Sequence, residues 1–160
     1  MKIRTILIAI PGLLLTVAAI AAGGHEGGHG GGHGEAAIGT PGVSSKVTRT
    51  IHIDMKDDMR FHSSKFNVKQ GETVRFVAKN SGQVKHEMVL GTPDELKEHA
   101  EAMKKNPEME HADANMITVA PGKSGEIIWK FTSAGKVDFA CLQPGHFDAG
   151  MKGLVNVSKK

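Results

Sequence analysis

The stretch KVDFACLQPGHFDAGM, residues 136–151, decides how the rest of the sequence is interpreted. In its first part Val137, Phe139 and Cys141 share one face and the charged Lys136 and Asp138 lie on the other, which is typical of a β-strand with one buried face. A Pro-Gly pair then marks a tight turn in the loop that follows the strand. The single cysteine of the chain is therefore predicted to face inward at the C-terminal end of a strand, directly before a short loop.

The same alternation recurs along the chain. TVRFVAKN (residues 73–80) and EIIWKF (residues 126–131) each place apolar side chains on one face and charged ones on the other, although Val77 breaks the alternation in the first. Turn signals separate these segments, at Gln70-Gly71, Asn80-Ser81-Gly82, Pro121-Gly122 and Ala134-Gly135. Short strands with one apolar face each predict an antiparallel β-sandwich, and hence an all-β fold.

One helix is predicted to interrupt the strands, at TPDELKEHAEAMKKNP, residues 92–107. Thr92 is its N-cap and Glu95 completes a capping box, while Pro107 ends it. Leu96, Ala100 and Met103 form an apolar stripe that would pack on the sandwich. The helix and the loop after it form an insertion of a size that often serves a function.

The N-terminal segment MKIRTILIAIPGLLLTVAAIAAGG has the pattern of a secretory signal peptide. A positive start precedes an apolar run and small residues, so residues 1–22 are predicted to be removed and the mature protein to reside in the periplasm. The run is shorter than the roughly 20 residues that span a bilayer. After cleavage no membrane association is expected, and an uncleaved anchor is the alternative.

Residues 23–45, GGHEGGHGGGHGEAAIGTPGVSS, have almost no apolar surface to bury and are predicted to be a flexible tail before a domain at residues 46–160. His25, His29 and His33 recur every four residues, a spacing that lets imidazoles surround one soft or borderline metal ion. The alternative is a solvated linker whose histidines have no metal role.

Composition and cysteine count argue against nucleic-acid binding and against an internal disulfide. Without the signal peptide the 20 basic residues fall by two and the 17 acidic ones are unchanged, so the charge is nearly balanced. The chain has no basic run, one Trp and no Tyr, which argues against nucleic-acid binding. An exported chain with one cysteine forms no internal disulfide, so the thiol is idle, reactive or metal-bound.

Four residues form the predicted metal centre. Cys141, His146 and Met151 share the loop with C-x4-H-x4-M spacing, and His86 begins the strand-like segment HEMVLG. Cys141 and Met151 share the parity of inward residues in their strands, and so does His86. Two imidazoles, a thiolate and a weak axial thioether are the ligands of a type 1 copper centre. Taken singly, each residue is as well explained by an inert core thiol or a satisfied histidine.

A second set of soft donors surrounds the insertion. His99 and Met103 share a helix face, and Met109, His111 and Met116 follow in the next loop. Soft thioethers favour Cu(I), so this set predicts a second and weaker copper site. The alternative is ordinary packing, because methionine often fills irregular gaps in a core.

Residues 46–160 resemble the cupredoxins. KHEMVLGTPDELKEHAEAMKKNPEMEH and VDFACLQPGHFDAGMKG, together with the His-rich leader, carry the resemblance. The ligand spacing is similar to that of rusticyanin and auracyanin, and still more to that of the periplasmic copper-tolerance cupredoxins of the CopI type. The resemblance implies a Greek-key sandwich with copper under one end, bound by His86, Cys141, His146 and Met151. One departure is Glu87, where many cupredoxins have an Asn that ties two loops together.

Two functions compete on these grounds. The first is copper tolerance, through binding, sequestration, transfer or oxidation of copper. The second is mobile electron transfer, which leaves a metal-binding tail without a use. A multicopper oxidase is disfavoured, because Ala140 and Leu142 flank Cys141 and the chain has no H-x-H pair. Slow Cu(I) oxidation at one site stays open. The expected partners are copper ions and a copper-exporting or redox protein, and the chain is expected to be a monomer.

Overall fold

The computed structural model describes residues 35–107 and 112–160, without the side chains of residues 35 and 36. The helical elements are α1 (Glu35–Ile38), a short 3-10 turn (Ser44–Lys46) and α2 (Pro93–Lys105). The strands are β1 (Thr40–Pro41), β2 (Arg49–Lys56), β3 (Arg60–His62), β4 (Lys65–Lys69), β5 (Thr73–Asn80), β6 (His86–Gly91), β7 (Met116–Val119), β8 (Ser124–Lys130), β9 (Gly135–Ala140) and β10 (Lys152–Ser158). The predicted signal peptide, His25, His29, His33, Met109 and His111 lie outside the described residues.

Two five-stranded sheets build the domain, with strand orders β1-β8-β5-β2-β3 and β4-β10-β9-β6-β7. The chain repeatedly crosses from one sheet to the other, for example between β5 and β6 and between β8 and β9. The predicted Greek-key β-sandwich with one helical insertion is therefore confirmed.

The sandwich is not wholly antiparallel, and in this respect the expectation was wrong. β2 pairs with β5 in parallel, and β4 pairs with β10 in parallel. Parallel neighbours need a crossover, and here the chain supplies it by visiting the opposite sheet between β2 and β5. Alternating burial alone does not reveal strand direction, so the sequence pattern missed these two pairs.

The core lies between the sheets, where the predicted alternation places it. Phe76, Trp129, Phe131 and Phe139 are completely buried, and Phe139 contacts Phe61 edge-on with ring centroids 5.0 Å apart. Cys141 and Met151 belong to this inter-sheet core as well. Two of the four predicted copper ligands therefore lie within the inter-sheet core itself.

Helix α2 forms as predicted. The Thr92 side chain accepts from the N–H of Glu95, the Glu95 side chain completes the capping box, and Pro93 begins the helix. Its buried stripe is Leu96, Ala100 and Met103. This stripe packs with Val89, Met116, Ala140 and Leu142 in a separate set, here called the helix-side cluster. Val89 of β6 belongs to this cluster, whereas Met88 and Leu90 lie in the inter-sheet core, and every residue of β6 is buried.

The predicted tail does not extend to residue 45. Ile38 is buried in the inter-sheet core, and its carbonyl accepts a 2.9 Å hydrogen bond from Trp129 Nε1. Gly39 adopts φ +124°, and a Cβ there would meet the Trp129 ring nitrogen at 2.6 Å. β1 then pairs with β8. Composition suggested a tail because one Ile among glycines carries little signal. Within the described residues, no helix is long and apolar enough to cross a membrane.

Candidate metal centre

His86 enters the site from the first position of β6 and is completely buried. The segment before it is held by Asn80, whose Nδ2 donates to the carbonyls of Val84 and Val119 at 2.8 and 2.9 Å. The Asn80 Oδ1 accepts from the N–H of Gly82 at 2.9 Å. A buried amide with all these partners fixes the point at which His86 enters the core.

Cys141 follows directly after β9 and continues its inward alternation, so the thiol lies in the inter-sheet core with no exposed surface. Its Sγ accepts a hydrogen bond from the N–H of Glu87 at 3.2 Å. Burial raises the pKa of the Cys141 thiol to about 12, although the N–H groups of Gln143 and Glu87 act in the opposite direction. In the metal-free protein the thiol is therefore protonated at neutral pH.

His146 lies in the loop between β9 and β10, which consists of consecutive tight turns. The N–H of His146 donates to Gln143 O, and the N–H of Met151 returns to His146 O, both at 3.0 Å. Gly145 has φ +83°, a left-handed conformation that glycine adopts at little cost. Partial burial lowers the pKa of His146, with a smaller contribution in the same direction from His86. The ring is therefore neutral and able to bind a metal through Nδ1 at neutral pH.

Met151 completes the loop opposite Cys141. The N–H of Cys141 donates to Met151 O at 3.0 Å, and both side chains are completely buried in the inter-sheet core. The strand pair β9–β10 places the two residues across from each other just beyond the last ladder pair, Lys152 with Ala140.

Three donor atoms converge at this end of the sandwich. Cys141 Sγ lies 3.2 Å from His146 Nδ1 and 4.0 Å from His86 Nδ1, and the two imidazole centroids are 5.0 Å apart. The ligand atoms of the three residues lie within 4.8 Å of one another, and this is the one such group of His, Cys, Asp or Glu in the described chain. A soft sulfur and two imidazoles at this spacing fit a copper ion.

Glu87 is placed differently from the loop-tying role suggested for that position. Its Oε1 accepts from Thr118 Oγ1 at 2.8 Å, and Thr118 is its cross-strand neighbour in β7. Its Oε2 is buried and has no hydrogen-bond partner among the described residues. The Glu87 side chain therefore links β6 to β7, whereas the Glu87 backbone N–H donates a hydrogen bond to the Cys141 sulfur.

The loop that carries His146 is held from two sides. On one side Arg60, the first residue of β3, donates a 2.8 Å hydrogen bond from Nη1 to Ala149 O. From the other side, Lys104 of α2 forms a 2.8 Å ion pair with Asp148, and the partly buried Phe147 packs on the helix-side cluster. These contacts restrict movement of the loop and of the imidazole that it carries.

The second predicted donor set is only partly described. Met103 and Met116 are buried in the helix-side cluster, where packing accounts for both side chains. His99 is half-buried on α2 and joins no group of three His, Cys, Asp or Glu donors in the described chain. The second copper site remains a prediction.

Sequence reasoning missed the residues that support the candidate ligands. Asp57 contacts the His86 ring, and Asn80 binds the backbone of the segment that precedes His86. Arg60 binds the backbone of the loop that carries His146. Asp57 and Arg60 stand in KDDMR, which reads as an ordinary polar turn. Asn80 belongs to Asn80-Ser81-Gly82, which indicates only a turn. No local pattern distinguishes these residues, because their partners lie far away in the sequence.

Comparisons with known proteins agree with this architecture. The profile of copper binding proteins of the plastocyanin/azurin family matches residues 47–158. A relative from Rubrivivax gelatinosus, named copper-resistant cuproprotein CopI, is 48% identical over 97% of this chain and 96% of its own length. A protein of the same name from Vibrio cholerae is 36% identical over 71% of this chain and 68% of its own length.

Among solved structures, reduced auracyanin from Roseiflexus castenholzii is similar, with a TM-score of 0.59 and 26% sequence identity. The match covers 70% of this chain and 98% of that protein. The resemblance drawn from the sequence is thus confirmed. The profile match together with the His86–Cys141–His146 group also confirms the predicted copper cofactor.

Proposed function

This chain belongs to the plastocyanin/azurin family of copper-binding proteins, and we propose that it binds one type 1 copper ion through His86, Cys141, His146 and Met151. The observation that carries the proposal is the convergence of a buried thiol and two imidazoles within 4.8 Å. Met151 would supply a weak thioether donor, because its buried side chain belongs to the same inter-sheet core as Cys141 and its backbone pairs with that of Cys141.

The protein contributes a largely buried frame that is held by hydrogen bonds and one ion pair. Bound copper would supply the exchange between Cu(I) and Cu(II), and the residues that would hold it are fixed by the surrounding fold. His86 is fixed by a strand and Cys141 by the Glu87 N–H, while the His146 loop is held by Arg60 and Lys104. The Cys141 proton must leave when the thiolate binds metal, so binding releases a proton at neutral pH.

Replacement of Met151 tests the axial assignment. Met151→Leu is expected to retain copper and colour and to raise the reduction potential, because loss of a weak sulfur donor favours Cu(I). Cyclic voltammetry of the variant beside the wild-type protein measures this. An unchanged potential would remove Met151 from the ligand set and leave the other three residues in place.

The biological role that these properties support is copper tolerance. The relatives from Rubrivivax and Vibrio are named copper-resistant cuproproteins, and the first is similar over nearly the whole length of both chains. A soft and largely buried site withholds copper from unwanted reactions, which suits a protective protein. The test is growth of a strain that lacks the gene, complemented with the wild-type chain or with Cys141→Ser.

Protection predicts poor growth of the deletion strain in added copper and normal growth without it. The wild-type chain restores growth and Cys141→Ser does not. Equal growth of all strains in copper would refute the role, even if the purified protein binds copper.

Mobile electron transfer is the second candidate. His146 is only partly buried, so one edge of the site lies near the surface, and the solved neighbour auracyanin comes from a photosynthetic bacterium. An obligatory electron carrier predicts a growth defect at low copper as well as at high copper. The same deletion strain therefore distinguishes the two roles.

Residues 1–22 are proposed to direct export to the periplasm, where the mature chain acts as a monomer with copper ions and a copper-exporting or redox partner. The following His-rich segment is proposed to gather additional copper through His25, His29 and His33. That binding depends on neutral imidazoles, so it is expected to weaken as pH falls through about 6.5.

Deletion of residues 23–34 tests the His-rich segment and spares the part of the chain that packs on the sandwich. Copper bound per protein is compared at pH 7.5 and 5.5 for the mature protein with and without this segment. Extra copper at pH 7.5 that disappears in the deletion variant supports the proposal. Equal stoichiometry in both proteins would remove the segment from copper binding.

A further inference from the structure

The turn between β2 and β3 reaches the metal centre through Asp57. Asp57 Oδ1 lies 3.2 Å from Nε2 of His86, the ring nitrogen on the far side from Cys141. The same carboxylate accepts the N–H of Gln83 at 2.7 Å, through Oδ2, and that of Val84 at 3.4 Å, through Oδ1. Asp57 thus binds both the imidazole and the segment that leads to it.

The contact determines which nitrogen of His86 carries hydrogen. His86 Nδ1 faces the Cys141 sulfur, so metal binding requires a bare Nδ1 and a hydrogen on Nε2. An ionised carboxylate only accepts hydrogen bonds, and Asp57 therefore favours the Nε2–H tautomer. Both oxygens of the carboxylate already accept backbone N–H groups, those of Gln83 and Val84, which is the arrangement of an ionised side chain.

The turn that carries Asp57 is itself constrained. Met59 adopts φ +57°, an uncommon left-handed conformation for a side chain of this kind. The N–H of Met59 donates to Lys56 O at 3.1 Å, and Arg60 Nη1 bridges Met59 O and Ala149 O at 2.7 and 2.8 Å. One turn therefore contacts both His86 and the loop that carries His146.

We propose that Asp57 is a positioning residue of the copper centre, which holds His86 in the Nε2–H tautomer and aims its Nδ1 at the metal. This inference rests on the proposed role of His86 as a ligand. Metal-bound histidines commonly donate their other N–H to a carboxylate, and loss of that partner typically lowers metal affinity by about 10- to 100-fold.

Asp57→Asn is the sharpest variant, because it keeps the size of the side chain and replaces one acceptor oxygen by an NH₂ donor. The shorter bond is the one to Gln83 N, so the amide oxygen is expected to turn there and the NH₂ group to face His86. An NH₂ donor opposite Nε2 favours a bare Nε2 and a hydrogen on Nδ1. That is the tautomer that cannot bind the metal through Nδ1.

The experiment is ¹⁵N NMR of the histidine rings in the metal-free mature protein, followed by competition for Cu(I) with a chelator of known affinity. Asp58→Asn is the matched control. Asp58 is the next residue of the same turn, and its carboxylate contacts His62 and the N–H of Arg60, not His86. Both variants remove one negative charge from the same turn.

The wild-type protein and Asp58→Asn are expected to show His86 as the Nε2–H tautomer. Asp57→Asn is expected to shift His86 toward Nδ1–H and to bind Cu(I) about 10- to 100-fold more weakly. A wild-type tautomer in Asp57→Asn, or equal affinity losses in both variants, would overturn the proposal. So would an Nδ1–H tautomer in the wild-type protein, a result that needs no variant to fold. If the wild-type chain instead binds no copper, the proposed function fails while the NMR result still decides the role of Asp57.

Discussion

The end of strand β9 is packed differently on its two faces. On one face Cys141 points into the inter-sheet core, among completely buried aromatic and sulfur-containing side chains. On the other face its neighbours Ala140 and Leu142 lie in the helix-side cluster under α2. The first face carries the donor atoms, whereas the second carries apolar side chains that immobilise the strand.

This difference shows how a strand end can present a candidate ligand on one face while apolar packing on the other face holds it in place. A residue whose neighbours are exposed can move, but Cys141 has buried neighbours on both sides. Helix α2 therefore supports the candidate metal centre in two ways. It packs against Ala140 and Leu142, and its Lys104 forms an ion pair with Asp148 in the loop that carries His146. The buried methionines of α2 and β7 are assigned to this support.

Met103 gives the largest expected effect. Met103→Ala should lower the free energy of unfolding by about 2–5 kcal/mol, because the residue is completely buried and leaves a cavity. Met103→Leu should cost less than about 1.5 kcal/mol, since volume is nearly conserved. Chemical denaturation measures both, and copper stoichiometry should equal that of the wild type. Loss of bound copper in the Leu variant would instead make Met103 a ligand.

On the inward face of this strand end, the Cys141 thiol should make the free energy of unfolding depend on pH. In the unfolded chain this thiol titrates near its ordinary value of 9.0, whereas in the metal-free folded protein its pKa is about 12. The unfolded chain therefore loses the proton first, and stability should fall between these values as pH rises, by about 1.4 kcal/mol for each pH unit. The measurement is the difference in unfolding free energy between wild type and Cys141→Ser from pH 8 to 11. A difference independent of pH contradicts this account of the buried thiol.

Loss of the Glu87–Thr118 hydrogen bond, beside the metal centre, should lower the free energy of unfolding by a smaller amount. Thr118→Val keeps the shape and removes the hydroxyl donor, so neither oxygen of Glu87 retains a hydrogen-bond partner among the described residues. Stability should fall toward the lower end of about 1–3 kcal/mol, because Thr118 is itself exposed to water. Thr118→Ser, which retains the hydroxyl, should lie close to the wild type. Equal losses in the two variants would mean that the hydrogen bond has no role.

The sequence predicted those parts of the molecule that depend on local pattern. Alternation located the inward face of β9 and hence the direction of Cys141, and the Thr92–Glu95 capping box located α2. Strand direction escaped prediction, because β2 and β5 are brought together only by a crossover through the other sheet. Ile38 and Asp57 escaped as well, since their partners lie 91 and 29 residues away.

The most direct test of the copper centre is an absorption-monitored titration of metal-free mature protein with Cu(II), beside Cys141→Ser. Both proteins should lack residues 23–34, so that the His-rich segment does not contribute. The wild-type site should take up one copper with an intense visible thiolate-to-copper charge-transfer band, and Cys141→Ser should show no such band because an alcohol oxygen cannot replace the thiolate. An intense band that persists in Cys141→Ser would contradict the assignment of His86, Cys141, His146 and Met151 as one copper centre.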